Sequence, residues 1–182
     1  MSGITSDMTN FHNWVNEYVP KKSRRKLCRI GGIDKNSIRK WERLDNYPST
    51  LSIVYLSLAI AKEFCLDYEP VVLKGIYAIS KDRGIDIAFE SDKIETIDKD
   101  RRVNTKIKDF SKFYLSYMNE EMMKDIVRSG IISYQASQSY KRDYLNIVPR
   151  PSKLVALCQY ISTKKGIDTD RLVLEALEVI LA

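Results

Sequence analysis

Apolar residues recur at the spacing of an amphipathic helix along most of the chain. Phe11, Trp14 and Tyr18 predict a first helix over residues 8–19, and Pro20 is expected to end it. The same spacing predicts four further helices in the first half, over residues 21–31, 35–44, 50–64 and 70–79. This pattern is typical of an all-α fold.

The pattern of the first half returns in the second half. A shift of 99 residues places Phe11 on Phe110, and aromatic, glycine and helix-capping positions then agree in order. The other pairs at this shift are Trp14 with Phe113, Tyr18 with Tyr117, Leu27 with Ile126, Arg29 with Arg128, Gly31 with Gly130, Ile33 with Ile132, Asp34 with Ser133, Trp41 with Tyr140 and Arg43 with Arg142. After an insertion, the proline–serine pair at 48–49 falls on that at 151–152. The agreement predicts a tandem duplication of one five-helix module.

The repeat defines three predicted segments. Residues 1–79 form a first module, residues 80–108 a charged linker, and residues 109–182 a second module. The linker carries eight Lys or Arg residues and seven Asp or Glu residues, so its charges nearly balance. Ile85 and Phe89 belong to a short alternating run in the linker, which leaves a brief strand open as an alternative.

Residues 27–49 have the pattern of two short helices joined by a tight turn. Gly31 and Gly32 allow the positive φ that closes the first of these helices. Asp34 is predicted to cap the second helix, because a carboxylate suits the positive end of a helix. Ile38 and Trp41, three residues apart, would then pack that helix against the core.

A longer pattern over residues 21–66 includes this unit. It is formed by Leu27, Cys28, Gly32, Ile33, Asp34, Ile38, Trp41, Glu42, Arg43, Pro48 and Ser49. The pattern resembles the helix-turn-helix of the Cro/cI (XRE-type) repressors. The resemblance implies two lambda-repressor-like modules, operator binding, repression by blocking the promoter, and sites that are often two-fold symmetric.

Charge is concentrated in the same stretch. The whole chain has a formal net charge of +6, which suggests an anionic partner. Residues 20–43 alone contain ten Lys or Arg residues and two acidic residues. We therefore interpret this basic segment as a surface for double-stranded DNA; a solvated surface charge is the alternative for each cation taken singly.

The helix-turn-helix interpretation names the residues that would contact DNA. Base-edge candidates on the second helix of the first module are Lys35, Asn36, Ser37, Arg39 and Lys40, of which Arg39 could instead contact phosphate. Phosphate candidates are Lys21, Lys22, Ser23, Arg24, Arg25, Arg43 and Tyr47. In the second module the corresponding residues are Tyr134, Gln135, Gln138, Lys141 and Arg142, and Ser139 is a candidate for phosphate. Ile38 and Trp41 are expected in the core, and Glu42 as a helix charge or in a local ion pair.

The second module matches the pattern less well. At the 99-residue shift the inward position of Ile38 is taken by Ser137, although Ala136 could serve after a slip of one residue. Its candidate helix still has a good cap in Ser133 and a glutamine suited to adenine at Gln135. The alternative is a degenerate copy that is kept for packing or dimerisation.

Catalytic, metal and membrane motifs find little support in the sequence. His12 is the single histidine, and the three cysteines are widely spaced, so no metal, cofactor or enzyme activity is expected. The cysteines are expected to pack as reduced residues. The N-terminus is polar and no apolar run is long enough for a bilayer, which favours a cytoplasmic, nucleoid-associated protein.

The leading hypothesis is a sequence-specific DNA-binding regulator of transcription, acting as a repressor. Tandem modules would imitate a dimer, with each module on one half-site, and a homodimer would cover four half-sites. The first alternative is an antirepressor-type protein that binds other proteins through the same fold. The second alternative is an accessory DNA-binding protein in recombination, replication or partition.

Overall fold

The computed structural model describes residues 9–43, 47–85, 110–142 and 147–181. Within these ranges the chain forms ten helices and no strand, so the predicted all-α fold class is confirmed. Most of the alternating run that ends at Phe89 lies outside the described residues, as does most of the predicted linker.

The first five helices follow the order that periodicity predicts. They are α1 (Thr9–Tyr18), α2 (Arg24–Ile30), α3 (Ser37–Glu42), α4 (Thr50–Phe64) and α5 (Tyr68–Asp82). Helix α3 begins two residues later than predicted, because the Asp34 carboxylate accepts a hydrogen bond from the backbone N–H of Asn36 at 2.8 Å. This bond forms a turn at residues 34–36, so Asp34 does not lie at the N-cap of the helix itself.

Five further helices follow in the second half of the chain. They are α6 (Phe110–Tyr117), α7 (Glu120–Arg128), α8 (Tyr134–Tyr140), α9 (Pro151–Lys165) and α10 (Thr169–Leu181). The chain divides into two compact units: unit 1 is Met1–Phe89 with Arg150–Ser152, and unit 2 is Glu90–Pro149 with Lys153–Ala182. The duplication itself stays a prediction, although each unit contains five helices among the described residues.

Helices α1, α4 and α5 form the core of unit 1. The α4–α5 and α1–α5 contacts bury Ile53, Ile60 and Ile76 completely. The indole N–H of Trp14 donates to the carbonyl of Val71 at 3.0 Å, so this buried polar group is satisfied. These contacts hold the first helix against the central pair and fix the frame on which α2 and α3 lie.

Asp82 ties the end of α5 to the start of α1. One carboxylate oxygen accepts the backbone N–H of Asn10 at 3.0 Å, and the other accepts that of Phe11 at 2.9 Å. The carboxylate therefore satisfies two N–H groups at the positive end of α1. The predicted linker boundary after residue 79 falls inside α5, and Asp82, assigned by sequence to the charged linker, is buried.

An aromatic contact recurs in both units at the 99-residue shift. In unit 1 the ring of Phe11 meets that of Trp41 edge to face, with centroids 6.2 Å apart. In unit 2 the equivalent rings of Phe110 and Tyr140 meet edge to face at 5.4 Å. In each unit the third helix is thus held on the first helix by the same kind of aromatic pair.

The turn between α2 and α3 uses its two glycines differently. Gly32 has a φ of +62°, whereas Gly31 has a φ of −80°, so the prediction of a positive φ is wrong for Gly31. A side chain at Gly31 is excluded for another reason: its Cβ would lie 2.9 Å from the carbonyl oxygen of Tyr55. In the equivalent turn of unit 2, between α7 and α8, the glycine with a positive φ is Gly130, at +73°. Its structural counterpart is therefore Gly32, whereas the 99-residue shift pairs it with Gly31.

Candidate nucleic-acid interface

The inner face of the α2–α3 unit is apolar and buried. Ile38 and Trp41 are 2% and 5% exposed, as expected for core residues. On α2, Leu27 and Cys28 are also buried. Because the apolar residues of α3 face inward, its charged residues are left on the opposite side of a very short helix.

The base-edge candidates of unit 1 lie on that outer side. Lys35, Asn36, Arg39 and Lys40 are exposed, and Ser37 is half-buried. Lys35 and Asn36 lie in the turn that leads into α3, and Ser37 is its first residue. Among the described residues, no ionic partner is found for Lys35, Arg39 or Lys40. A duplex could therefore approach this surface without first displacing a salt bridge.

The phosphate candidates before α2 are also accessible. Lys21, Lys22 and Arg25 are exposed, and Ser23 is half-buried. Lys21 and Lys22 lie in a turn closed by the backbone bond from the Ser23 N–H to the Pro20 carbonyl at 2.8 Å. The structure thus brings a group of exposed cations to the N-terminal end of α2.

Arg24 has an intramolecular partner. Its Nη1 donates to Glu42 Oε2 at 2.8 Å, and its Nη2 pairs with the other carboxylate oxygen. This two-point ion pair joins the first residue of α2 to the last residue of α3. One of the two roles expected for Glu42, a local ion pair, is confirmed. We assign Arg24 to holding the two helices together, while its contact with phosphate stays a prediction.

The structure adds a cation that the sequence did not indicate. The guanidinium carbon of Arg83 lies 3.7 Å from the centre of the Tyr47 ring. Tyr47, a phosphate candidate, is half-buried, and Arg83 and Arg43 are exposed. Sequence reasoning placed Arg83 in the linker, because nothing within its own segment relates it to a tyrosine 36 positions earlier.

The candidate helix of unit 2 begins as predicted. The hydroxyl of Ser133 accepts the backbone N–H of Ala136 at 3.1 Å and caps α8. Tyr134 is 67% exposed, and Gln135 is also exposed. The remaining candidates of this unit are half-buried, except for the exposed Arg142; they are Gln138, Ser139 and Lys141.

Ser137 occupies the inward position of α8. It is 2% exposed, whereas Ala136 is half-buried, so the one-residue slip does not occur. Its hydroxyl lies 2.8 Å from the hydroxyl of Tyr114, which is itself fully buried. Burial raises the pKa of Tyr114, and the bond to Ser137 opposes that rise. The polar residue is therefore accommodated by a hydrogen bond inside the core.

The two units differ in charge at the start of their second helices. Glu120 and Glu121 are exposed in the first turn of α7, at the positions that the 99-residue shift pairs with Lys21 and Lys22. Acidic residues suit the positive end of α7 but repel phosphate. Unit 2 therefore lacks, at this place, the cations that unit 1 presents.

Other chemistries have few residues to support them in the described part of the chain. No group of three potential metal ligands occurs there, and no helix in those ranges is long and apolar enough to cross a membrane. Cys28 and Cys158 are buried and reduced, as expected. Cys65 is also reduced but exposed, so the expectation that it packs is wrong: it follows the last residue of α4 with a φ of +54°.

Comparisons with protein-family models, with curated proteins and with solved structures found no match. The resemblance to Cro/cI repressors therefore stays a prediction from the residues of the chain.

Proposed function

We propose that this chain is a sequence-specific double-stranded DNA-binding protein that regulates transcription as a repressor. The observation that carries the proposal is the placement of α3 and of the turn before it: Ile38 and Trp41 are buried, whereas Arg39 and Lys40 of the helix and Lys35 of the turn are exposed. A short helix with a buried apolar side and an exposed cationic side has the form of a recognition helix in the major groove.

Unit 1 supplies both kinds of contact that DNA recognition needs. Cations before α2, among them Lys21 and Lys22, would bind phosphate and fix the register of the protein on the duplex. Asn36 can bond adenine, and Lys35 or Lys40 can bond the acceptor atoms of guanine. The Arg24–Glu42 ion pair would hold these two groups of side chains in one orientation.

Unit 2 would read a second half-site with lower affinity. Tyr134, Gln135 and Gln138 are available for base edges, but Glu120 and Glu121 stand where phosphate-binding cations would be needed. The operator would then be an imperfect palindrome or a direct repeat. A homodimer would cover four half-sites. Repression would follow from blocking the promoter, by binding alone and without catalysis, in the cytoplasm at the nucleoid.

Binding to genomic fragments at several salt concentrations tests the proposal. We expect the full chain to retain a small subset of fragments, with log affinity falling steeply as log salt rises. Footprinting of the DNA that flanks its own gene would then locate the site. Retention without sequence preference would contradict a regulator, and sites confined to recombination, replication or partition loci would favour an accessory protein.

Charge reversal separates a DNA reader from an antirepressor. Changing Lys35 and Lys40 to Glu should abolish retention, because both side chains would face the groove. The matched control is Lys62→Glu with Lys81→Glu, which changes the net charge equally at two exposed residues of α4 and α5. An antirepressor would keep its activity after the first change, since it does not need a cationic α3.

A further inference from the structure

Arg83 lies at the end of α5 in a position that its own segment of sequence does not indicate. It is the C-cap residue of that helix, and its side chain is exposed. Its guanidinium carbon is 3.7 Å from the centre of the Tyr47 ring, which is within the range of a cation–π contact. The residue that forms one side of this stack, Tyr47, follows α3 after a short connection.

The neighbours of Arg83 place it at the C-terminal end of α3. The adjacent residue, Asp82, bonds the backbone N–H of Phe11 at 2.9 Å, and the ring of Phe11 meets Trp41 of α3. The last residue of α3, Glu42, pairs with Arg24 at the start of α2. The ends of α3 and α5 and the starts of α1 and α2 therefore converge on one region of unit 1.

We propose that Arg83 is a further phosphate-binding residue of this surface, and that Tyr47 positions it. The inference rests on the proposed function of unit 1 as a DNA reader. Arg83 would join the exposed cations next to the start of α2 and the end of α3, which are Lys21, Lys22, Arg25 and Arg43.

The chemistry of the stack suits a phosphate. A guanidinium group held over an aromatic ring through its carbon can keep N–H groups free, and these can donate two parallel bonds to a phosphate. Because the half-buried ring of Tyr47 contacts the guanidinium group, it restricts the rotamers of Arg83 before DNA binds. Less conformational entropy is then lost when the contact forms. The sequence assigned Tyr47 itself to phosphate, whereas this geometry makes it a positioning residue.

The salt dependence of binding tests the proposal in the full chain. Arg83→Gln should reduce the slope of log affinity against log salt by about 0.9, the value for one lost phosphate contact. The loss of affinity should be the same on operator and unrelated DNA, since phosphate contacts carry no sequence information. The matched control is Lys81→Gln, which removes the same charge from an exposed residue about 200° away around α5 and should leave the slope unchanged.

Two further variants separate the charge from its positioning. Arg83→Lys keeps the charge, so the slope should be retained while the affinity falls, because an ammonium group cannot form the planar two-point contact. Tyr47→Leu removes the ring under Arg83 and should weaken binding by more in the wild-type background than in the Arg83→Gln background. Far-ultraviolet circular dichroism checks that each variant is folded. If Arg83→Gln does not fold, the affinity and salt slope of Arg83→Lys test the proposal instead.

An unchanged slope in Arg83→Gln would overturn the proposal. An equal fall in slope in Lys81→Gln would also overturn it, because the effect would then come from net charge alone. Failure of the proposed function looks different: the wild-type chain would bind without sequence preference or not at all. Loss of affinity on operator DNA alone would contradict a phosphate contact and assign Arg83 to base edges.

Discussion

The hydroxyl of Tyr114 lies 2.8 Å from the hydroxyl of Ser137, and both side chains are buried in unit 2. At the 99-residue shift these residues correspond to Val15 and Ile38, which are buried in unit 1. One unit thus has two aliphatic side chains where the other has a large and a small residue that share a hydrogen bond. The two changes compensate each other in volume as well as in polarity.

The Tyr114–Ser137 pair predicts strong coupling between two substitutions. Ser137→Ala should lower the free energy of unfolding by about 1–3 kcal/mol, because the hydroxyl of Tyr114 is left buried without a partner. Tyr114→Phe with Ser137→Ala removes both polar groups and should cost less than the two single changes added together. Urea denaturation of the four proteins measures this coupling. Additive effects would show that the hydroxyls are stabilised independently.

The Arg24–Glu42 ion pair should be worth more than a surface pair of the same chemistry. Its side chains are 22% and 29% exposed and meet at two points, so we expect Arg24→Met to cost about 1 kcal/mol. Methionine is the residue that unit 2 has at the equivalent position, Met123. The control is Lys26→Met, because the lysine of the Lys26–Glu63 pair is 53% exposed. Equal losses in the two variants would contradict a special role for Arg24.

Replacing Cys65 by glycine should stabilise the folded protein. Its φ of +54° is unfavourable for a residue with a side chain, whereas the end of α9 has Gly166 at a φ of +68°. Cys65→Gly should raise the free energy of unfolding by about 0.5–1 kcal/mol, because the exposed thiol contributes little packing. Gly166→Ala should lower it by a similar amount. Denaturant midpoints measure both, and a loss of stability in Cys65→Gly would contradict the strain.

Unit 2 should lose stability in alkali. Burial raises the pKa of Tyr140 to about 12, above the ordinary tyrosine value of about 10. The folded state then holds the proton more tightly than the unfolded state, so this stabilisation is complete below pH 10 and is lost as the pH rises through 12. Tyr140→Phe should flatten this part of the profile. Denaturation between pH 8 and 12, followed by tyrosinate absorbance, measures the effect; identical profiles would exclude it.

Local signals determined the helices and the outward residues of this protein. Helix α4 runs from Thr50 to Phe64 as predicted, because the cap at Ser49 and the apolar face lie within the segment itself. The burial of Ile38 and Trp41 followed from their spacing. The start of α3 did not, since a single bond from Asp34 to the Asn36 N–H competes with the first turn of the helix.

Tertiary structure decided what the ends of the helices contact. Asp82 caps a helix whose N–H group lies 71 residues away in sequence, and Arg83 stacks on Tyr47. Gly31 is required because another helix approaches it, which its own φ does not reveal. Helical periodicity depends on residues three and four apart and is written in the sequence. These long-range contacts depend on the path of the whole chain, so only the folded structure brings such residues together.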